Sequence, residues 1–437
     1  MSVLTCNSYA LQSVSLPVFE VSKSNMNVFS TPVAYYDGEV YVVNVEPATG
    51  PNNGINLRTV VRKGKQVAKN QWAWETYVLD GATLDDPYHT QPSIAVDKAG
   101  YVHVAFNMHN MPWQYAVSTR PKDISSFVFR GEEVSSKERY AVQILNKTSF
   151  PSIGRAAIPG NQITYPAFFY DRNKDLFVTY RFATRPKRLF DERGFAGGIA
   201  RYDVTTKLWV AIGGNLAVSS DDADLPKGVK SASVKAFAYT DKWSVYLIRL
   251  AFDRSNHMHA TWTWRENGAG RDTSNPTYAF SPDGGRKFLR SDGTMYSLPI
   301  DVKSADVMMG KEYINKFDAS TSVIADPSGK PFAVVQHVSG RFLVNHDGDN
   351  WSSPEIMPFG ADVLLIDDDG TQWAFASEPM VLRRDKGDSA WTAVYRDRDR
   401  EQFFYAKVFP VTYENMFIIY ALNRDFTKVK IIMLKTK

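Results

Sequence analysis

One pattern restricts the fold of this chain more than any other: a short apolar run, a turn rich in Asp, Asn or Gly, and a second apolar run. It occurs first at Pro32 to Tyr36, with turn Asp37-Gly38 and return run Val40 to Val43. It recurs at Pro92 to Val96, with turn Asp97 to Gly100 and return run Tyr101 to Phe106. Further copies have turns at Asp171 to Asp175, Asp253 to Asn256, Asp326 to Gly329 and Asp367 to Gly370. Strand-length runs on either side of residues that tolerate positive φ predict β-hairpins. The turns start at 37, 97, 171, 253, 326 and 367, which are 60, 74, 82, 73 and 41 residues apart. Uneven steps of this size predict four-stranded blades with insertions of different length. No stretch reads as a long amphipathic helix, and no Pro/Gly/Ser linker divides the chain. The expected fold is all-β, a single β-propeller domain over residues 1–437.

Composition supports this and narrows the function. The 26 Phe, 22 Tyr and 10 Trp supply a large core and favour strands. Lys and Arg exceed Asp and Glu by 51 to 47, a net +4 without a basic stripe, which argues against a nucleic-acid partner. A few local Arg or Lys residues remain free to hold an acidic substrate. The single cysteine, Cys6, excludes an intrachain disulfide and a multi-cysteine zinc site. No apolar run reaches the roughly 18–20 residues that span a bilayer, so no membrane partner is expected. Residues 1–17 contain no Lys or Arg and do not read as a secretory signal as they stand.

Ser281-Pro-Asp283-Gly-Gly285-Arg-Lys-Phe288 resembles the Asp box, Ser-x-Asp-x-Gly-x-x-Trp, with Phe for Trp. Weaker relatives lie at His346 to Trp351 and Tyr202 to Trp209. The Asp and Ser of that motif tie down a hairpin turn over a packed aromatic. It marks propeller blades in proteins of many activities, so it speaks for fold and not chemistry.

Seven histidines can be weighed singly. His103 shares a strand face with Tyr101 and Ala105 and reads as a packed or edge residue. His337 and His346 read as structural or surface residues. His89 opens the second hairpin and His109 follows it, so an antiparallel return can bring both imidazoles to one rim. Two loop histidines satisfied by neighbouring polar groups are the plainer reading. Trp113 is a candidate sugar-stacking face, against the commoner use of Trp in packing. His257 and His259 face the same way on a strand, a pair that could ligate metal although no third ligand can be named. Trp262 and Trp264 would face the opposite way. Tyr165 starts one strand and Arg181 ends its hairpin partner, so the two can lie close. There Arg181 becomes a candidate carboxylate clamp, because guanidinium grips carboxylate in bidentate fashion.

The run from His89 through Val96, His103 and His109 to Tyr115 resembles the BNR-4 repeat region of ulvan lyases of polysaccharide lyase family 25, and more distantly family 24. The likeness runs from about Tyr35 past Phe288. It implies a seven-bladed, exported and monomeric propeller that cleaves an acidic, sulfated polysaccharide by β-elimination at a uronic acid. It places the family's histidines on His89 and His109, and its tyrosine and arginine on Tyr165 and Arg181. Further substrate contacts fall on Tyr239, with Tyr246 in the same region, and on His257. It implies no cofactor for the chemistry but a structural zinc, whose ligands these residues do not reveal. Arg181 would then neutralise the uronate, and Tyr165 and His89 would share the roles of base and acid. A free Tyr has a pKa of about 10, so nearby positive charge would have to lower it. Two competing readings are a sialidase-like hydrolase using Asp85, Asp86, Arg249 and Arg265, and a non-catalytic propeller that binds acidic glycan.

Overall fold

A computed structural model describes residues 11–26, 29–47, 57–69, 71–80, 89–131, 158, 161–183, 194–219, 231–266, 272–310, 313, 316–399, 402–411 and 414–436. Its strands form seven antiparallel blades in chain order, as a β-propeller requires. The first strand of each blade faces the axis. These inner strands are Val33–Tyr36, Ser93–Val96, Asn161–Tyr170, Trp243–Phe252, Phe317–Ala325, Ala361–Ile366 and Phe403–Val411, for blades I to VII. Blade VII closes the ring. Its outer strand is Gln12–Ser15, paired with Lys428–Lys435 in the register Gln12↔Lys435. A ribbon of Gly214–Ser219 and Ser231–Ala236 stands between blades III and IV.

The Asp turns share one construction. Asp97 Oδ1 accepts the N–H groups of Ala99 and Tyr101 at 2.9 Å each. Asp171 does the same for Asn173 and Asp175, Asp326 for Ser328 and Lys330, and Asp367 for Asp369 and Thr371. Asp253 Oδ1 accepts from His257 N. The third residue after each Asp has positive φ: Gly100 (88°), Lys174 (62°), Asn256 (63°), Gly329 (88°) and Gly370 (91°). A carboxylate that caps turn N–H groups makes the left-handed step affordable even for Lys. All five turns join a first to a second strand, so they gather at one end of the propeller.

The second carboxylate oxygen reaches into the blade. Asp97 Oδ2 meets His103 Nε2 at 3.1 Å, and His103 Nδ1 meets the Tyr115 hydroxyl at 2.6 Å. In blade IV, His259 Nε2 lies 3.6 Å from Asp253 Oδ2, and its Nδ1 bonds the Tyr278 hydroxyl at 2.8 Å. In blade VI, Trp373 Nε1 donates to Asp367 Oδ2 at 3.1 Å. The partner stands six residues after the Asp each time, so His103 and His259 are repeat positions of a structural device. The turn at Ser281 to Phe288 is tied similarly: Gly285 N donates to Ser281 Oγ, Arg286 N and Lys287 N donate to Asp283, and Phe288 is fully buried.

Burial pushes the Asp253 carboxyl up, but the His259 hydrogen bond, the His257 N–H and both imidazole charges outweigh it and hold it at about 2. A carboxyl depressed from its ordinary 3.8 contributes stability that is complete above pH 4 and is lost as pH falls towards 2. The contribution is roughly 2 kcal/mol. Urea melts at pH 5 and pH 2.5 are expected to differ by about that much less in Asp253→Asn than in the parent.

Candidate active site

The opposite end of the barrel is built from broken strand pairing. In blade III the register against Leu176–Ala183 shifts between Thr164 and Ala167, and Tyr165 has φ 60°. In blade IV the register shifts between Tyr246 and Arg249, and Leu247 has φ 51°. Bulges re-aim side chains, and non-Gly residues at positive φ carry strain that their surroundings must hold. Here Ser93 Oγ donates to Pro166 O at 2.6 Å, and Phe168 N donates to Thr31 Oγ1 at 3.0 Å, fixing the chain after the first bulge. The short strand His109–Met111 pairs with the start of Asn161–Tyr170, Thr164 opposite His109. Asn110, also at positive φ (56°), bonds Thr164 Oγ1 through its backbone N–H and accepts from it through Oδ1. Gly197 lets blades III and IV close together, since a Cβ there would lie 2.7 Å from Val245 Cγ1.

This framework brings His89, His109, Tyr165 and Arg181 into one cluster, the two hairpins meeting as their spacing predicts. The imidazoles of His89 and His109 stack at 3.9 Å with planes 2° apart. The Tyr165 ring is 6.0 Å from His89. Arg181 lies among three rings, its guanidinium carbon 4.7 Å from Tyr165, 4.5 Å from Tyr246 and 4.3 Å from Phe195. Phe29 packs edgewise on Tyr165 at 4.4 Å. Arg265 stacks on the far side of Tyr246 at 4.1 Å and donates to its hydroxyl at 2.6 Å. Arg181 is 6%, Tyr165 7% and Tyr246 8% exposed, whereas both histidines are half-buried.

The charges explain one another. Burial pushes the Tyr246 hydroxyl up, but Arg181 and Arg265 outweigh it, through charge and hydrogen bonding, and hold it below the usual tyrosine value. Burial likewise works against the Arg181 charge, but Tyr246 and Tyr165 overcome it and keep that group above its ordinary value. Arg181 Nε and Nη1 are buried without a hydrogen-bond partner among the described residues. The site therefore holds a fixed cation, two phenols beside it and two imidazole edges. Such a set can attract an acid group, remove a proton and return one.

Three expected site residues lie elsewhere. Trp113 is fully buried, 5.2 Å from Tyr115 in a stack that Trp209 meets edgewise, so it is core and offers no sugar-stacking face. Tyr239 precedes the inner strand of blade IV and packs on the cluster beneath blade III; Tyr246 is the tyrosine on Arg181. His257 follows the Asp253 turn at the far end, its Nδ1 3.0 Å from Asp253 Oδ2. Seven residues of strand, roughly 20 Å, separate that turn from Tyr246. Trp262 and Trp264 are fully buried. The reading from sequence gave no role to Phe29 or Phe195 and left Tyr246 as an alternative. The break in alternation before Arg249 was the available signal for Tyr246, but nothing marks Phe29. Cys6, Asp85 and Asp86 lie outside the described residues. For a structural zinc, no cluster of three His, Cys, Asp or Glu side chains among the described residues has metal-site geometry. Among the described residues no helix is long and apolar enough to cross a membrane.

Comparison with known proteins extends the picture. The model of a BNR repeat-containing family matches residues 31–397. The crystal structure of the polysaccharide lyase Uly1 superposes with a TM-score of 0.66 at 11% identity, covering 98% of this chain and 99% of that one. A family PL25 ulvan lyase superposes at 0.61 and 12% identity, covering 96% and 94%. A family PL25 ulvan lyase bound to -[GlcA(1-4)Rha3S]- superposes at 0.60 and 12% identity, again covering 96% and 94%. No curated protein sequence matches this chain.

The two guanidiniums hold the Tyr246 hydroxyl below the ordinary tyrosine value. In an alkaline ultraviolet difference titration, one phenol should titrate below the ordinary value of about 10. Arg181→Gln should move that step upward, and Tyr246→Phe should abolish it. An unchanged first step in both variants would refute this electrostatic account.

Proposed function

The chain belongs to the BNR repeat-containing family, and from that premise we propose that it is a polysaccharide lyase that cleaves an acidic, uronate-containing polymer of the ulvan type by β-elimination. The observation that carries the reading is the guanidinium of Arg181 wedged between Tyr165 and Tyr246, beside the stacked imidazoles of His89 and His109. The likeness in fold to a lyase whose structure holds a glucuronate-containing oligosaccharide supports it. A polymer of this kind is met outside the cell, so the protein is assigned to the extracellular space, acting as a monomer and without a cofactor.

Elimination requires the C5 proton of the uronate to be acidic enough to remove. Positive charge near the carboxylate provides this by stabilising the enolate that forms. Arg181 is that charge, fixed in place by its three rings and therefore needing little reorganisation. Tyr165 lies near both Arg181 and His89 and takes the C5 proton as phenolate. As the C4–O4 bond breaks, O4 must gain a proton, supplied by His89 or by the now neutral Tyr165. The product carries a C4–C5 double bond. His109 supports His89 through the stack and through its pairing with Thr164. Tyr246, bonded to Arg265, holds Arg181 from its other face.

Incubation with ulvan and related uronate polymers should release chain ends with the ultraviolet absorbance of an unsaturated uronate. A hydrolase would shorten the polymer without that absorbance, and a binding protein would not shorten it. Tyr165→Phe should lower kcat by about 10²–10⁴, and Arg181→Gln should lower kcat/KM by at least as much as one lost preorganised donor, about 10²–10³. Full turnover in Tyr165→Phe and His89→Ala would remove the assignment of base and acid.

A further inference from the structure

The axial channel has a chemistry that the reaction above does not use. It encloses a cavity of about 720 Å³ lined by the inner strands. Ile94, Phe168 and Leu364 are among its apolar walls, and Asp171 and Arg172 line it at the end of the Asp turns. The cavity also carries Arg249 and Lys407, from the inner strands of blades IV and VII. Arg249 is three residues beyond Tyr246, and Lys407 is at the middle of the inner strand of blade VII.

Both cations are held in place. Lys407 Nζ donates to Gln91 Oε1 at 2.9 Å, and Arg249 Nη1 donates to Phe29 O at 3.3 Å. Each tether reaches the active-site cluster: Gln91 is two residues from His89, and Phe29 packs on Tyr165. Burial pushes Lys407 well below the ordinary lysine value, and the charge of Arg249 pushes the same way, against the pull of Asp362. Burial also draws Arg249 down to about 10. Asp362 accepts from Gln336 Nε2 at 3.1 Å, so its charge is shared with a second wall of the channel. Ser30 Oγ, 2% exposed and next to Phe29, lines the same cavity without a hydrogen-bond partner.

Arg249 and Lys407 line one cavity and repel each other there, and an anion held between them would offset that cost beyond what Asp362 already does. We propose that Arg249 and Lys407, with Ser30, form an oxyanion-binding site inside the channel, separate from the Tyr165–Arg181 cluster. Its ligand is a tetrahedral or planar oxyanion, either a free inorganic ion or an acid group carried by a bound polysaccharide. Both sources present the same oxygens to a guanidinium, an ammonium and a hydroxyl. The proposal does not depend on elimination taking place.

The test is calorimetric titration of the full chain with sodium sulfate and with inorganic phosphate, at constant ionic strength. Saturable binding at one site per chain is expected, weakened at least about tenfold in Lys407→Met and in Arg249→Met. Removing one of two repelling cations should not lower the melting temperature of Lys407→Met in anion-free buffer. A variant that does not fold is replaced by the parent protein, crystallised without sulfate and soaked in selenate. An anomalous peak between Arg249 and Lys407 supports the site, and peaks confined to other places overturn it. Titration with a uronate oligosaccharide separates the sources. Tenfold weakening by Lys407→Met there too identifies the polymer's acid group, and weakening for sulfate alone identifies a resident inorganic ion. No saturable binding in the parent, or equal binding in the variants, overturns the proposal. Loss of ultraviolet-absorbing product in Arg181→Gln would be unaffected by either result.

Discussion

The structure depends on a carboxylate used as a turn. In five blades an Asp side chain accepts the N–H groups that a left-handed step would leave exposed, so the first and second strands are joined in one fixed way. In blades II and VI the same carboxylate also bonds a ring of the second strand, which locks the turn to the blade interior. Each such bond is worth on the order of 1–3 kcal/mol, since one partner is charged and the site is buried. One end of the propeller is thereby rigid in nearly every blade. The other end is relieved of that duty, and there the inner strands of blades III and IV tolerate bulges and positive φ at Tyr165 and Leu247. Strain at one end is supported by order at the other.

This division also accounts for which parts of the molecule could be read from sequence. The turns are local: Asp, a residue able to take positive φ three positions on, and flanking apolar runs lie within a dozen residues. They therefore betrayed the fold and its repeat. The pairings of His89 with His109 and of Tyr165 with Arg181 were legible for the same reason, because a hairpin converts separation along the chain into adjacency at its open end. His257 misled because it belongs to the turn end of a hairpin, although its neighbours on the strand suggest a site. Its partner Asp253 is four residues away and repeats the construction at Asp97. Trp113 misled because a strand following a site histidine was read as rim, when its side chain points into the blade.

What was hidden arises between blades. Phe29 reaches Tyr165 across more than a hundred residues of sequence, and Arg265 reaches Tyr246 as a diagonal neighbour on the next strand, two residues from the Thr263 that pairs with it. Neither contact has a periodicity or a motif. Tyr246 in place of Tyr239 is the same case, since only the starting point of the inner strand at Trp243 decides which tyrosine meets Arg181.

The three-ring setting of Arg181 is best understood as a means of keeping a charge where water cannot neutralise its effect. An exposed guanidinium would be screened, and it would hold a nearby phenol down only weakly. A buried one without a stabilising partner would pay the desolvation cost in full. Tyr165, Tyr246 and Phe195 offer their π-faces to the cation, an interaction of about 2 kcal/mol or more when desolvated, while the phenol oxygens raise its affinity for its proton. The arginine in return depresses Tyr246, with Arg265 adding to the effect. Cation and phenols are therefore stable only as a set, and a change to one ring alters the proton affinity of the others. A site made in this way is suited to moving a proton beside an acidic group, because the charge that the reaction needs is present before substrate arrives.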